Sequence, residues 1–347
     1  MILQNTSHAR VGLMGNPSDI YFGKTLAFLI GNFSAEVTLW ESPSLTIVPH
    51  RMQDPTTFES LEQLADIATR DGYYGGQRLL LATCKKFHEY CITHGLRLPE
   101  RNFTIQYDTG IPRQVGLGGS SAIIAAALKC LMGFYELTDG DIPKPVQPNL
   151  VLSVELEELD IAAGLQDRVV QVYGGLVYMD FDRDYMEEHG HGRYEPLDVH
   201  LLPRFALAYV PEPRESGKTH GDLRFRFHRG DRDVVEAMST FARYTDAARE
   251  ALEGGDHERL GKLMNQNFDL RRRICGDEAI GPKNLEMIAL ARSFGMPAKF
   301  PGSGGAIIMI CPDDSLFAEA EKAFRERGFA FVRAEPTNQG CGEHAGA

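Results

Sequence analysis

Four short segments of this chain gather residues able to do chemistry on a phosphorylated ligand. The first spans 111–123, IPRQVGLGGSSAI, where Gly116, Gly118, Gly119, Ser120 and Ser121 lead straight into the apolar run 122–128. That is a loop feeding a helix. Glycines let successive backbone N–H groups turn towards one point, and the first turn of the helix adds unpaired donors and the positive end of its dipole, so the place suits phosphate. Serines there could also hold a metal. The pattern G-x-x-x-x-G-K-[ST] fails for want of a lysine, and G-x-G-x-x-G does not fit either. Such runs also make plain N-capped turns, so the segment gains its meaning from the other three.

In SVELEELDIAAGLQDRVV, Glu155 stands twelve residues before Asp167, with Ala162, Ala163 and Gly164 between. A helix running into a small-residue loop could bring both acids to one site, although Glu155, Glu157 and Glu158 also read as a solvated helix face. Asp167 lies among Gly164, Leu165 and Val169, where close packing is expected; a carboxylate there needs Arg168, a metal or a substrate hydroxyl as partner. In ARVGLMGNPSDIYFGK, a strand meets a tight turn that presents Asn16, Ser18 and Asp19 beside Lys24. Short polar groups beside glycines suit a hydroxyl-rich ligand, and equally a capped turn. Lastly, AKFPGSGGAIIMI sets Gly302, Gly304 and Gly305 before an apolar strand, where close backbone approach or a hairpin turn would use them.

These segments need a scaffold. Residues 8–14, 34–40 and 103–107 alternate as strands do, with 45–48 continuing the habit, while 58–70 and 76–94 carry apolar positions at helical spacing. Four breakers between 138 and 148 mark a surface connection before a helix over 150–160. A strand is expected after Gly174 and Gly175. The charged stretch 183–203 is the candidate boundary between two units. Beyond it come strands at 205–210, 306–310 and 329–332 and helices near 231–253, 256–273, 283–294 and 315–327. The fold class is therefore α+β in both halves.

With 347 residues and 43% hydrophobic content the chain can build a large core. A net charge of −12 argues against a nucleic-acid surface. No run approaches the roughly 20 apolar residues of a membrane span, and the first residues lack a secretory pattern, so a cytoplasmic protein is expected. Six cysteines without a C-x-x-C pair read as reduced thiols, and the eleven histidines show no metal-ligand spacing.

Taken together and in this order, the segments resemble the small-molecule kinases named for galactokinase, homoserine kinase, mevalonate kinase and phosphomevalonate kinase, the GHMP family. The resemblance rests on GNPSDIYFG (15–23), GYYGG (72–76), YDTGIPRQVGLGGSSAI (107–123), AGLQDRVVQVYGGLV (163–177), NFDLRRR (267–273) and KFPGSGGA (299–306). It is nearest to the branch, best known from plants, that phosphorylates glucuronic acid. It implies an N-terminal domain, 1–195, like the second domain of ribosomal protein S5 and a ferredoxin-like C-terminal domain, 196–347, with the active site between them.

The resemblance also implies roles. Gly116, Leu117, Gly118, Gly119, Ser120 and Ser121 would bind ATP phosphates, and Ser121 with Glu155 would hold Mg²⁺. Asp167 would take the proton of the attacking hydroxyl, kept ionised by Arg168 or Lys24, and Arg10 would steady the reactive oxygen. Asn16, Ser18, Asp19, Lys24, Gln166, Gly302, Ser303 and Gly304 would line the sugar, while Arg113, Arg168 and Arg271 are the candidates for reading a carboxylate. The implied reaction is phosphorylation of the anomeric hydroxyl, with galacturonate, fucose or a heptose phosphate as alternative acceptors and a non-catalytic binding protein as the alternative of another class. GYYGG and the segment around Trp40 are candidates for the nucleotide. A monomer or weak homodimer is expected. Three departures bear on this: Gly119 lengthens the phosphate loop ahead of the serines, which leaves open which serine meets the metal; the turn at 15–19 replaces two of the family's galactose contacts; and Pro301 stands where the family often has a threonine.

Overall fold

In the computed structural model, which describes residues 1–71, 75–211 and 219–342, hydrophobic patterning changes character along the first strand. In β1 (Ile2–Met14), residues 2–8 alternate between exposed and buried positions, as on a sheet covered on one side, whereas every residue from Ala9 to Met14 is buried. The buried half is the half that reaches the site. Its partner β2 (Lys24–Glu41) is central: it pairs with β1 along one edge and, on the other, with β5 (Leu176–Asp180) beside residues 24–28 and β4 (Phe103–Thr109) beside residues 35–41. The short β3 (Thr46–Ile47) extends the sheet beyond β4, and β6 (Arg193–Leu197) extends it beyond β5.

A second sheet holds β7 (Phe205–Tyr209), β8 (Ala298–Lys299), β9 (Ala306–Ile310) and β10 (Ala330–Arg333) in the antiparallel order β10-β7-β9-β8. With helices after β7 and between β9 and β10, this is a ferredoxin-like arrangement. The first half carries α1 (Leu61–Asp71), α2 (Gly76–Thr93), α3 (Gly119–Phe134), α4 (Gln147–Ser153), α5 (Leu165–Tyr173) and α6 (Arg183–His189). The second carries α7 (Thr219–His228), α8 (Arg232–Glu253), α9 (His257–Cys275), α10 (Asp277–Ile280), α11 (Pro282–Ser293) and α12 (Asp314–Glu326).

The halves share one core. Phe28 of β2 stacks on Phe205 of β7 with ring centroids 5.4 Å apart, and a single buried cluster runs from Val11 and Phe28 through α3 to Leu207, Leu252 and Ile308. The described end of the chain returns to the first sheet, where Thr337 donates its N–H to the Leu29 carbonyl and Cys341 to that of Gln171. The expected strands and long helices are present, but β1 and β2 start at Ile2 and Lys24, well ahead of the alternating segments 8–14 and 34–40. The 183–203 stretch, read as a charged connection, carries α6 and β6, the latter paired to β5. All six cysteines are free, and among the described residues no helix is long and apolar enough to cross a membrane.

Helix starts separate scaffold from site. In α8, α9 and α12 an aspartate caps the first turn, Asp231, Asp256 and Asp313 each accepting a backbone N–H. In α3 the capping position is Gly118, with no side-chain cap, so its first-turn donors stay available for a ligand, whereas in α5, which follows Gly164, the first-turn N–H of Gln166 is taken by Asp19.

Candidate active site

The phosphate-type loop joins β4 to α3, and the carbonyls of its last three residues are spoken for. Leu117 accepts the backbone N–H of Arg10 at 3.0 Å, Gly116 accepts Arg10 Nη1 at 2.6 Å, and Gly118 accepts Gln171 Nε2 at 2.8 Å and Ser121 Oγ at 3.1 Å. With the carbonyls turned towards β1 and α5, the backbone N–H groups face the other way, and among the described residues no acceptor takes those of Gly118, Gly119, Ser120 or Ser121. Gly118 needs its glycine: φ is 74°, and a Cβ would lie 3.0 Å from Arg10 Cγ.

The second glycine loop meets the first. A Cβ on Gly302 would collide with the Gly116 carbonyl, and one on Gly116 would sit 2.8 Å from the Ser303 nitrogen. Two glycines far apart in the sequence, Gly116 and Gly302, thus touch only because both lack a side chain. Buried cations hold this loop in place by its carbonyls: Arg10 Nη1 donates to Pro301 at 2.7 Å, Arg271 donates to Gly302 at 2.7 Å and to Ser303 at 3.2 Å, and Lys299 Nζ donates to Phe300 at 2.6 Å.

Between the loops sits Asp167, in the first turn of α5. Arg10 faces it edge-on, Nη2 donating to Oδ2 at 2.7 Å with Nε 2.5 Å from Oδ1; Arg168 Nη1 is 3.4 Å from Oδ2. Burial alone would raise this carboxyl, but Arg10, and behind it Arg168, outweigh burial and hold it below the usual carboxylate range. Asp19, in a short 3₁₀ turn (Ser18–Tyr21), accepts the Gln166 backbone N–H at 3.2 Å; burial, and next the Asp167 charge, push it up to about 6. Two neighbouring acids therefore differ in affinity for a proton, as a base and a hydroxyl reader would.

Glu155 is fully buried, on a π-helical turn (Val154–Glu158) that follows α4. Ser120 Oγ donates to its Oε1 at 2.6 Å, while Arg168 Nε donates to Oε2 at 2.7 Å and Nη2 bonds the same oxygen. Here the expected pairing of Glu155 with Ser121 changes: consecutive helix residues point about 100° apart, and Ser121 turns back to Gly118 while Ser120 faces the carboxylate. The side-by-side hydroxyl and carboxylate oxygens fit a hard cation that takes its other ligands from phosphate and water. Among the described residues no three His, Cys, Asp or Glu side chains gather into a closed cage.

Three expected sugar contacts are occupied by structure. Lys24 Nζ bonds Asp246 at 3.0 and 3.1 Å and lies 3.8 Å from Asp180, tying β2 to α8; Arg10, not Lys24, keeps Asp167 ionised. Ser18 Oγ closes its own turn on the Lys24 carbonyl at 3.0 Å. Asn16 Oδ1 accepts from Lys299 Nζ at 2.7 Å and its amide donates to Phe300 at 3.3 Å. Gln166 is buried with its Oε1 unpartnered and its amide 3.5 Å from Asp167 Oδ1, so it remains at the site. Of the three arginines, Arg168 and Arg271 are buried in the networks above, and Arg113 is half-buried near enough to Tyr107 to influence its hydroxyl. Trp40 is paired opposite Thr104 within the sheet, and residues 72–74 of GYYGG lie outside the described residues.

Lys299 was not singled out by sequence. Its ammonium, 1% exposed, reaches Gly12 O and Asn16 Oδ1, each at 2.7 Å, as well as Phe300 O, so it fastens β1 and the substrate turn to the second glycine loop. Burial, with Arg271 and Arg10 nearby, pushes it well below the ordinary lysine range. Its place directly before F-P-G-S-G-G was the available signal.

Comparison with known proteins agrees with this arrangement. The model for the GHMP kinases N terminal domain matches residues 78–175, and that for the GHMP kinases C terminal domain matches 248–330. Glucuronokinase 1 of Arabidopsis thaliana is 48% identical over 328 residues, 94% of this chain and 90% of that protein. Probable glucuronokinase 2 of the same plant is 48% identical over 340 residues, 97% and 92% respectively. The crystal structure of Lactococcus lactis galactokinase complexed with galactose superposes with a TM-score of 0.76 at 16% identity, covering 99% of this chain and 95% of that one. With both halves matched, the two glycine loops facing one another and a half-buried aspartate between them, the chain belongs to the GHMP kinase family.

Proposed function

We propose that this protein is a sugar-1-kinase that transfers the γ-phosphoryl group of ATP to the anomeric hydroxyl of D-glucuronic acid, giving glucuronate 1-phosphate and ADP. The observation that carries the chemistry is Asp167, half-buried and held ionised by Arg10 where the two glycine loops and the substrate turn converge. The sugar is taken from the two plant relatives, 48% identical along nearly the whole chain.

In this reading Asp167 accepts the proton of the anomeric hydroxyl. A carboxylate has about four lone-pair sites, so oxygens facing Arg10 still have room for a substrate O–H. Arg10 orients the base and, reaching Gly116 and Pro301 as well, sets its position relative to both loops. Free N–H groups at the start of α3 take the nucleotide phosphates and the charge that develops there. Asp19 and Gln166 accept from ring hydroxyls, each having acceptor capacity that the fold leaves open. Ser120 and Glu155 would hold Mg²⁺, which when bound offsets the negative charge of the β- and γ-phosphates.

ADP release from Mg-ATP by the purified protein tests this against glucuronate, galacturonate, galactose, glucose and fucose in parallel. Turnover with glucuronate alone is expected. Turnover with another sugar only would discard the acceptor, and no turnover with nucleotide still bound would discard catalysis. Asp167→Asn should lower kcat by at least about 10³-fold with nucleotide affinity kept, since it removes only the base.

A further inference from the structure

Two carboxylates of the site are each matched by a guanidinium, and the pairing has a consequence for metal binding. Glu155 is met by Arg168 and Asp167 by Arg10, so two carboxylates and two guanidiniums close on themselves. Arg168, 4% exposed, uses all three nitrogens: Nε and Nη2 on Glu155 Oε2, and Nη1 on the Gly164 carbonyl at 2.8 Å, 3.4 Å from Asp167 Oδ2. One planar fork therefore connects the carboxylate beside Ser120 to the start of the helix that carries the base, a span that a lysine ammonium could not bridge.

We propose that Arg168 is a positioning residue that spends the charge of Glu155 before any ligand arrives, so that the protein alone does not collect a divalent cation and the cation enters with the nucleotide. The proposal rests on reading Ser120 and Glu155 as the metal's protein oxygens. Shedding water from a small divalent cation requires negative oxygens in exchange. At this place a cation meets a neutral hydroxyl and a carboxylate already matched by a guanidinium, with no third acidic or imidazole ligand gathered among the described residues. The missing negative charge must come from phosphates. Arg168 at the same time aims Glu155: by holding Oε2 it leaves Oε1 towards Ser120.

Mn²⁺ uptake followed by EPR of the free ion tests this on the full chain, without any sugar. Wild type alone should bind Mn²⁺ only weakly, in the millimolar range, and take it up strongly once ADP is present, beyond what ADP alone accounts for. Arg168→Gln should bind Mn²⁺ at least about tenfold more tightly without nucleotide, because a buried carboxylate is left uncompensated; Arg168→Gln combined with Glu155→Gln should lose that gain. A residue that only supported packing would give no such gain. Tight Mn²⁺ binding by nucleotide-free wild type that disappears in Glu155→Gln would overturn the proposal, as would a folded Arg168→Gln protein binding no more tightly than wild type. Should Arg168→Gln not fold, the wild-type and Glu155→Gln titrations decide alone. Failure of the glucuronate reading would leave these results untouched, because no acceptor sugar takes part.

Discussion

Replacing Asp19 by asparagine should stabilise the protein and cripple it at once. The Asp19 carboxyl is moved from its ordinary 3.8 to about 6 by burial and by the Asp167 charge. At about 1.4 kcal/mol per pKa unit that is roughly 3 kcal/mol, and solvent reaching a partly exposed residue trims it to about 2. Because the folded-state pKa lies above that of the unfolded chain, the protonated carboxyl favours folding: its contribution is intact below about pH 4 and lost as the pH rises through about 6. Asparagine mimics the protonated form and keeps an oxygen for the Gln166 N–H. For 347 residues the unfolding entropy near Tm is about 0.7 kcal/mol/K, so Asp19→Asn should raise Tm by about 3 °C at pH 8 and by nothing measurable at pH 4. Scanning fluorimetry across that range reads the difference directly. In the same proteins, kcat/KM for the sugar should fall in the wild type below about pH 6, as Asp19 takes up a proton, and that acid limb should be missing from the variant on a plateau at least about tenfold lower. An Asp19→Asn protein equally or less stable than wild type at pH 8 would refute the argument that this carboxylate is held against its preference for the sake of the substrate.

The two serines should separate. Ser120→Ala is expected to raise the Mg²⁺ concentration needed for half-maximal rate about tenfold, whereas Ser121→Ala, which loses a buried hydrogen bond to Gly118, should cost about 1 kcal/mol in a melt and leave the Mg²⁺ requirement alone. Lys299→Met leaves the Gly12 carbonyl and Asn16 Oδ1 without their donor and should cost about 2–4 kcal/mol in urea unfolding, with KM for the sugar rising as the substrate turn loosens. Gly118→Ala, at φ 74° and against Arg10, should lose about 1–2 kcal/mol and weaken nucleotide binding in a fluorescent-analogue titration; Gly110→Ala, with open space around its Cα, should do neither.

Much of this molecule was legible residue by residue. The alternation at 8–14, 34–40 and 103–107 and the helical spacing at 76–94, 231–253 and 315–327 correspond to β1, β2, β4, α2, α8 and α12, because each element must turn an apolar face to a core. What escaped was short or unpatterned: β6, with a mostly exposed Arg193–Leu197, is a strand because β5 offers it an edge, and β8 is two residues long. Asp167 and the glycine loops could be named because an acid among small residues, and glycines packed closely together, are costly unless used, whereas Glu155, beside Glu157 and Glu158, reads as a solvated helix face and is singled out only by the family resemblance.

The sequence by itself determined which residue types were present to bind phosphate, accept a proton and hold a cation, since those are properties of side chains and of local backbone freedom. Which of them meet was decided by the tertiary structure alone. Arg10 reaches Asp167 across 157 positions and the Pro301 carbonyl across 291, Lys24 is drawn off to Asp246 by the packing of α8 on β2, and one step of helix rotation hands Glu155 to Ser120 instead of Ser121. Spacing along a chain carries no information about such partners: a buried charge takes whichever opposite charge or carbonyl the fold brings within about 3 Å, and that distance is set by how the sheets and helices pack.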